Sequence, residues 1–550
     1  MTKSRRFVHV NIWLVLALLP ACTTPSEVEE RQPTFQLLEA GIEEIQAAYG
    51  AGTLTSVELV QAYLDRIAAY DRNGPAITSI ISIHPDALSQ AAALDEERRQ
   101  NGTRGPLHGI PVLLKDNINT VDLPTTNGSA VLRGIVPSAD AVLTRELRQA
   151  GAIILGKASM GEFAAGSYNS VVGQTINPYN AKRDTGGSSS GSAAAIAANF
   201  AVLAVGTDTS TSVRGPAAYN GIVGLRPTTG LVSRRGIAPK NLEFDSAGPM
   251  ARRVTDVAHM LGVMAVADPG DPMSVRTWSE VSARYQVVDG HVDYATFLDA
   301  AALSGTRIGV VRDLFGGDPE IDAMAAEALE QLRALGATLV DVRLDEEFKS
   351  RYLGDGQLEI RRLADYRFRE DWEAYLAALP GAPKTVAEFV ETYRTVVNES
   401  ALPARDNTMS LLTTSLTTST SDPAYLRLVE EILPQATADK LALFERADVD
   451  VLVFPYETRF ASVISNPVYE LEDPSYVASE IPVPATLAGY SSVGFPCIVV
   501  PMGIGTQGLP MALAFFGKPY DEGHLLGYAY AYEQASGKRV APPLLPPLGE

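Results

Sequence analysis

Three segments of this 550-residue sequence carry amine and hydroxyl groups in patterns that could do acyl chemistry. The first, His108-Gly109-Ile110-Pro111-Val112-Leu113-Leu114-Lys115-Asp116, ends an apolar run on a lysine. The other two are Ser/Gly/Thr loops inside DTGGSSSGSAAAIAANFAVLAVGTDTSTSVRGPAAYNGIVGLRP, residues 184–227. They flank an alanine-rich helix, predicted from Ser192 to about Phe200, whose small side chains let neighbours pack closely and so hold both loops rigidly. Either loop alone, or a strand-end lysine alone, reads as an ordinary turn or a solvated cation. Together they suit a site where a base makes a hydroxyl nucleophilic. A rival lies in the same residues, because Gly187-Ser188-Ser189-Ser190-Gly191 satisfies G-x-S-x-G and would make Ser189 the nucleophile of an α/β-hydrolase. That motif needs a later acid and histidine, and nothing around His259, His291 or His524 resembles the end of such a triad.

Positioning these loops calls for a large core. With 46% hydrophobic and 20% charged residues the composition is that of a large globular core rather than of a disordered or polytopic membrane chain. Short β-rich runs at Ile110 to Leu114, Ala152 to Leu155, Ala201 to Val205, Arg307 to Val311, Val449 to Phe454 and Cys497 to Pro501 alternate with helical stretches, an α/β pattern. Two amphipathic helices come first: Leu37, Leu38, Ile42 and Ile45 share one face, and Val57, Leu59, Val60, Tyr63, Leu64 and Ile67 another, the second capped by Thr55 or Ser56. Residues 346–447 are mostly helical and polar, predicted as a cap or insertion, with the Ser/Thr run from Thr408 to Ser421 a loop.

The 65 acidic against 45 basic residues give a net charge of -20, which with no Lys/Arg cluster argues against nucleic acid as a partner. Cys22 and Cys497 are the two cysteines, too few for a disulfide framework or a Cys-rich metal site. His108 reads as structural, no cluster has metal-ligand spacing, and neither metal nor cofactor is implied. Lys3, Arg5 and Arg6 precede an apolar run from Ile12 to Leu19, as in a signal peptide over residues 1–21. Leu19-Pro20-Ala21-Cys22 resembles a lipobox, with Cys22 the lipidation site, 22–33 a solvated tether and 34–550 the folded domain. The expected location is the cell envelope, lipid-anchored on the outer membrane, with the membrane met through that anchor only.

HGIPVLLKD, GGSSSGS and GTDTSTSVRGPA resemble the lysine strand, the glycine-serine loop and the nucleophile loop of the amidase signature family. Similarity continues through Ser246-Ala247-Gly248-Pro249-Met250-Ala251-Arg252, Asp448 to Pro455, and Gly494 to Pro501. The resemblance implies one α/β domain, a mixed central sheet covered by helices on both faces with a helical insertion. It also implies hydrolysis of a carboxylic amide, from a small molecule or peptide, to acid plus amine or ammonia. By motif position Ser212 is the nucleophile, Ser188 the bridging serine in a cis peptide, and Lys115 the base. A lysine serves so only if its pKa falls from about 10.4 toward neutrality, a cost of about 4 kcal/mol for three units. The backbone N–H groups of Thr209, Ser210, Thr211 and Ser212 would face the oxyanion. Thr207 and Ser189 match supporting positions, and Asp208 and Arg214 a structural ion pair.

Ser210 and Thr211 depart from the family, standing where two glycines usually precede the nucleophile, so a left-handed backbone there becomes costlier. Ser190 also stands where glycine is commoner. Two alternatives follow: a catalytically impaired ligand-binding lipoprotein, or an ester or carbamate hydrolase on the same site. The related amidotransferase that works on charged tRNA is disfavoured by the export signal and the acidic balance. The preferred amide and the oligomeric state stay open.

Overall fold

Short apolar runs that cannot bury themselves as helices pair here into one mixed sheet. The computed structural model describes residues 1, 35–353, 357–398, 402–403, 406–465, 471–472 and 494–548. Contacts divide the chain into Met1–Phe35 and Gln36–Glu550, and the fold is that of the second unit. Its strands are β1 (Ile80–Ile83), β2 (Pro111–Lys115), β3 (Ile153–Ala158), β4 (Tyr168–Asn169), β5 (Gly173–Gln174), β6 (Leu203–Asp208) and β7 (Val223–Arg226). They continue with β8 (Ser246–Ala251), β9 (Arg307–Val311), β10 (Thr338–Val342), β11 (Val451–Pro455), β12 (Cys497–Ile504) and β13 (Pro510–Phe516). Eleven of them form the main sheet in the order β1-β3-β2-β6-β8-β7-β12-β13-β11-β9-β10, while β4 and β5 pair separately.

The sheet is parallel where chemistry gathers. β3, β2 and β6 run side by side in parallel, and β8 then pairs antiparallel with β6. β2, β3 and β6 are buried along their whole length, as expected of strands with helices over both faces. Helix Ser190–Ala197, every residue of it buried, packs against β2, β3, β6 and β8. Its small side chains allow that approach, so the loop before it and the loop after β6 rest on the same rigid block.

Two expectations are corrected. The first helix opens at Ile42, not at Leu37, because Glu39 takes a left-handed φ of 63° and Gly41 is the N-cap, its N–H donating to Glu44 Oε2 at 3.1 Å. The second helix, Ser56–Tyr70, is capped by Thr55. In the Ser/Thr run, residues Asp406–Ser415 are helical rather than looped. Leu412 is buried there in an aromatic cluster with Phe163, Phe368, Trp372, Phe389 and Tyr393, with Met409 and Leu411 against it, and that burial overrides the weak helix propensity of Ser and Thr. Phe163 comes from the main body, and its ring lies 5.3 Å from Trp372 and 5.5 Å from Phe389, centroid to centroid, which ties the helices of 346–447 to the segment after β3.

Candidate active site

Leu114 stands opposite Val205 on the parallel strands β2 and β6, so the residues at their C-terminal ends, Lys115 and Thr207, meet. Lys115 Nζ lies 2.7 Å from Ser188 Oγ, 2.8 Å from Thr207 Oγ1 and 3.2 Å from the Thr207 carbonyl. Lys115 is fully buried, and burial drives its pKa well below 10.5; Asp208 opposes that shift, Lys240 adds to it and Asp245 opposes it. An ammonium loses its hydration there with no carboxylate in contact, so the neutral amine is favoured.

The Gly187–Ser188 peptide is cis, and the Ser188 carbonyl accepts from Gly161 N at 3.0 Å. Gly187 is required by space, since a Cβ would stand 2.0 Å from the Gly166 carbonyl oxygen. Ser189 is a strut: its hydroxyl bonds both the N–H and the carbonyl of Thr207 at 3.2 Å, and its N–H donates to the Ser212 carbonyl at 3.2 Å. With that hydroxyl committed to the backbone, Ser189 does not suit the hydrolase-elbow role. The three histidines that role needed lie elsewhere, His524 paired with Asp521 and His291 with the Gly262 carbonyl, while His259 lines a separate groove.

Ser212 lies four residues beyond the end of β6. Its side chain has no hydrogen-bond partner among the described residues, and neither do the backbone N–H groups of Thr209, Ser210, Thr211 and Ser212. Ser210 and Thr211 are half-buried and neither has a positive φ, so the turn reaches its shape without glycine. The loop is held at its ends. Thr209 Oγ1 donates to Asp245 Oδ1 at 2.6 Å, and Val213 N donates to Asp208 Oδ2 at 3.0 Å.

Asp208 and Arg214 form the expected pair, with Arg214 Nε 3.0 Å from Asp208 Oδ2. The structure adds Arg226, whose Nη1 donates to the Asp208 carbonyl at 2.8 Å. Burial works to raise the Asp208 carboxyl, but Arg214 and Arg226 outweigh it and hold it at about 2. Sequence reasoning also missed Asn117, which donates to Thr207 Oγ1 at 3.0 Å, and the turn carrying Lys240 and Asp245. Asn117 could have been noticed two residues past Lys115; Asp245 stands immediately before the Ser246-Ala247-Gly248-Pro249 landmark. Among the described residues no group of three or more His, Cys, Asp or Glu gathers as a metal ion would need.

This sheet, with its lysine strand and two serine loops, defines a class. The amidase family profile matches residues 58–526, and the chain belongs to the amidase signature family, enzymes acting on the C–N bonds of amides. It is 36% identical over 510 residues to a glutamyl-tRNA(Gln) amidotransferase subunit from Symbiobacterium thermophilum, covering 90% of this chain and 96% of that one. The native peptide amidase of Stenotrophomonas maltophilia superposes with a TM-score of 0.79 at 36% identity, covering 92% of this chain and 98% of that one. An amidase family protein from Bacillus anthracis gives a TM-score of 0.78 at 30% identity, covering 92% of each chain.

The expected envelope location on a lipid anchor is corrected by these matches. Relatives aligned over about nine-tenths of the chain are subunits of an amidotransferase named for glutamyl-tRNA(Gln), not envelope lipoproteins. No helix among the described residues is long and apolar enough to cross a membrane. The apolar run from Ile12 to Leu19 is a compositional signal alone; Cys22, the tether 22–33 and, apart from Met1, the leader 1–21 lie outside the described residues. The export argument against the amidotransferase falls with it.

Proposed function

We propose that this chain hydrolyses a carboxylic amide through an acyl-enzyme on Ser212, with Lys115 as base and Ser188 as the relay between them. The observation that carries the reading is the buried Lys115 amine, 2.7 Å from the Ser188 hydroxyl. A neutral amine has two N–H donors and one lone pair, which suits three contacts: it donates to the hydroxyl and carbonyl of Thr207 and accepts the Ser188 proton. Ser188 in turn takes the Ser212 proton as Ser212 Oγ bonds the substrate carbonyl carbon. The unbound N–H groups of Thr209 to Ser212 receive the oxyanion, where one such donor is worth about 3 to 4 kcal/mol of barrier. Collapse expels the amine or ammonia, which takes its proton back along the same relay, and water then releases the acid by the same steps.

Thr207 holds the amine and Ser189 the spacing of the two loops, both acting through other residues. The likeness to peptide amidase supports a peptide or small-molecule amide as the substrate class. A second reading, release of ammonia for transfer within a complex, is favoured by the equal identity to the amidotransferase relative. Hydrolysis of aryl, fatty-acyl and peptide amides by the isolated chain, beside Lys115→Ala and Ser212→Ala, tests the first reading. Turnover lost in both variants supports it; a Lys115→Ala rate equal to wild type refutes it. Turnover of none of the amides by the wild-type chain, with Ser212 still labelled by a fluorophosphonate, favours the second.

A further inference from the structure

We propose that Lys240 and Asp245 set the protonation of Lys115 from across a small cavity, the Lys240 cation keeping Lys115 neutral and the Asp245 carboxylate moderating that effect while it anchors Thr209. The inference rests on Lys115 being the base.

The cavity, with room for little more than one water molecule, is walled by Thr207 and Asn117 from the Lys115 side, by Thr209 from the nucleophile loop, and by Ile237, Lys240 and Asp245 from the turn before β8. Lys240 Nζ donates to the carbonyls of Phe163 and Ala164, both at 3.1 Å, two successive residues with left-handed φ of 51° and 54°. Neither acceptor carries a net charge. Among the described residues Lys240 has no carboxylate within ion-pair distance. Apart from Asp245, the other charges around the site are matched more closely. Asp208 is held between Arg214 and Arg226, Asp116 pairs with Lys157 at 3.3 Å, and Arg234 on the cavity wall is bound by Asp271. Asp245 is met by three neutral donors, Thr209 Oγ1 at 2.6 Å, Lys240 N at 2.8 Å and Asn241 N at 2.9 Å.

A cation held only by neutral acceptors raises the cost of a second ammonium nearby, and a carboxylate held only by neutral donors lowers it. Lys240 acts on Lys115 in the first sense and Asp245 in the second, beside the larger effects of burial and Asp208. Burial brings Lys240 itself down to about 8, with Asp245 opposing and Arg361 assisting, so Lys240 is charged at the lower pH where protonation of Lys115 is expected to stop turnover. Lys240 and Asp245 are positioning residues. Neither needs to touch substrate.

The test is kcat/KM against pH on one amide for wild type, Lys240→Met, Lys240→Arg and Asp245→Asn, with Lys115→Met alongside. Lys240→Met should move the acid limb to higher pH by about half a unit, a roughly threefold loss of activity at a fixed pH on that limb. Lys240→Arg keeps the charge and should leave the limb in place, a restoration that mere packing would not give. Asp245→Asn, which retains an acceptor for Thr209, should move the limb to lower pH, so the opposite sign is read even if Lys240→Met does not fold. A limb in Lys240→Met that coincides with that of Lys240→Arg, or an Asp245→Asn limb that does not move down, overturns the inference while an inactive Lys115→Met leaves the base assignment standing. A Lys115→Met variant that turns over with the wild-type limb overturns the base assignment itself.

Discussion

The two serine loops are built on opposite plans. Around Ser188 nearly every polar group is spent: the Ser188 carbonyl on Gly161, Ser189 on Thr207 and Ser212, Gly191 N on the Ser159 carbonyl at 2.9 Å, and Ser192 Oγ on the Val205 carbonyl at 3.1 Å. Around Ser212 the loop is held at its ends and through its carbonyls, Ser210 by Arg214 and Ser212 by Ser189, while among the described residues four successive N–H groups and the Ser212 hydroxyl are left over. Ser210 and Thr211 are half-buried, so these groups are open to water or a ligand in a way that the buried Ser188, Ser189 and Ser190 are not. The first loop fixes a geometry; the second keeps free the hydrogen-bonding capacity that the proposed mechanism assigns to the oxyanion.

Breaking the open loop's reactive group has the largest expected effect. Ser212→Ala should lower kcat by about 10⁴-fold or more with the fold intact, read by amide hydrolysis and thermal melting. Next comes the base on which that loop stands: Asp208→Asn leaves Arg214 and Arg226 buried without a counter-charge, and unfolding in urea should show a loss of about 3 to 5 kcal/mol. A loss under about 1 kcal/mol would mean that the loop does not depend on that triad.

Much of this contrast is legible in the residues. Lys115, Ser188 and Ser212 sit in short motifs whose glycines and small side chains leave few alternatives, and the run Arg307 to Val311 coincides with β9 at both ends. What escapes a sequence reading is set by distant packing. Arg226 reaches Asp208 only because β7 folds back on β8, and Lys240 and Asp245 reach the site from a turn with no periodicity to mark it. Thr408 to Ser421 misleads for the same reason: part of it is helical because it covers Phe163 and Trp372, which no local propensity records.

A smaller, sharper effect concerns the amine that the tied-down loop holds. Burial depresses Lys115, so between its folded value and 10.5 the unfolded chain binds a proton that the folded one lacks, and wild-type stability rises with pH across that window. Lys115→Met lacks this slope. Its melting temperature relative to wild type should therefore fall steadily from neutrality toward pH 10.5; a constant difference would mean Lys115 is charged when folded. The smallest effect is expected at Ser210. Because its backbone has no left-handed φ, Ser210→Gly adds freedom to the unfolded chain without relieving strain and should cost about 0.5 to 1 kcal/mol in melting experiments. A gain would show that the side chain is strained where it stands.

The most direct measurement is the rate at which a fluorophosphonate labels Ser212 as a function of pH, in wild type and in Lys115→Met. An uncharged lysine acting through Ser188 predicts labelling that rises with pH, reaches its plateau well below 10.5, and drops by about 10³-fold in the variant. Labelling of Lys115→Met at the wild-type rate and with the wild-type pH profile would contradict it.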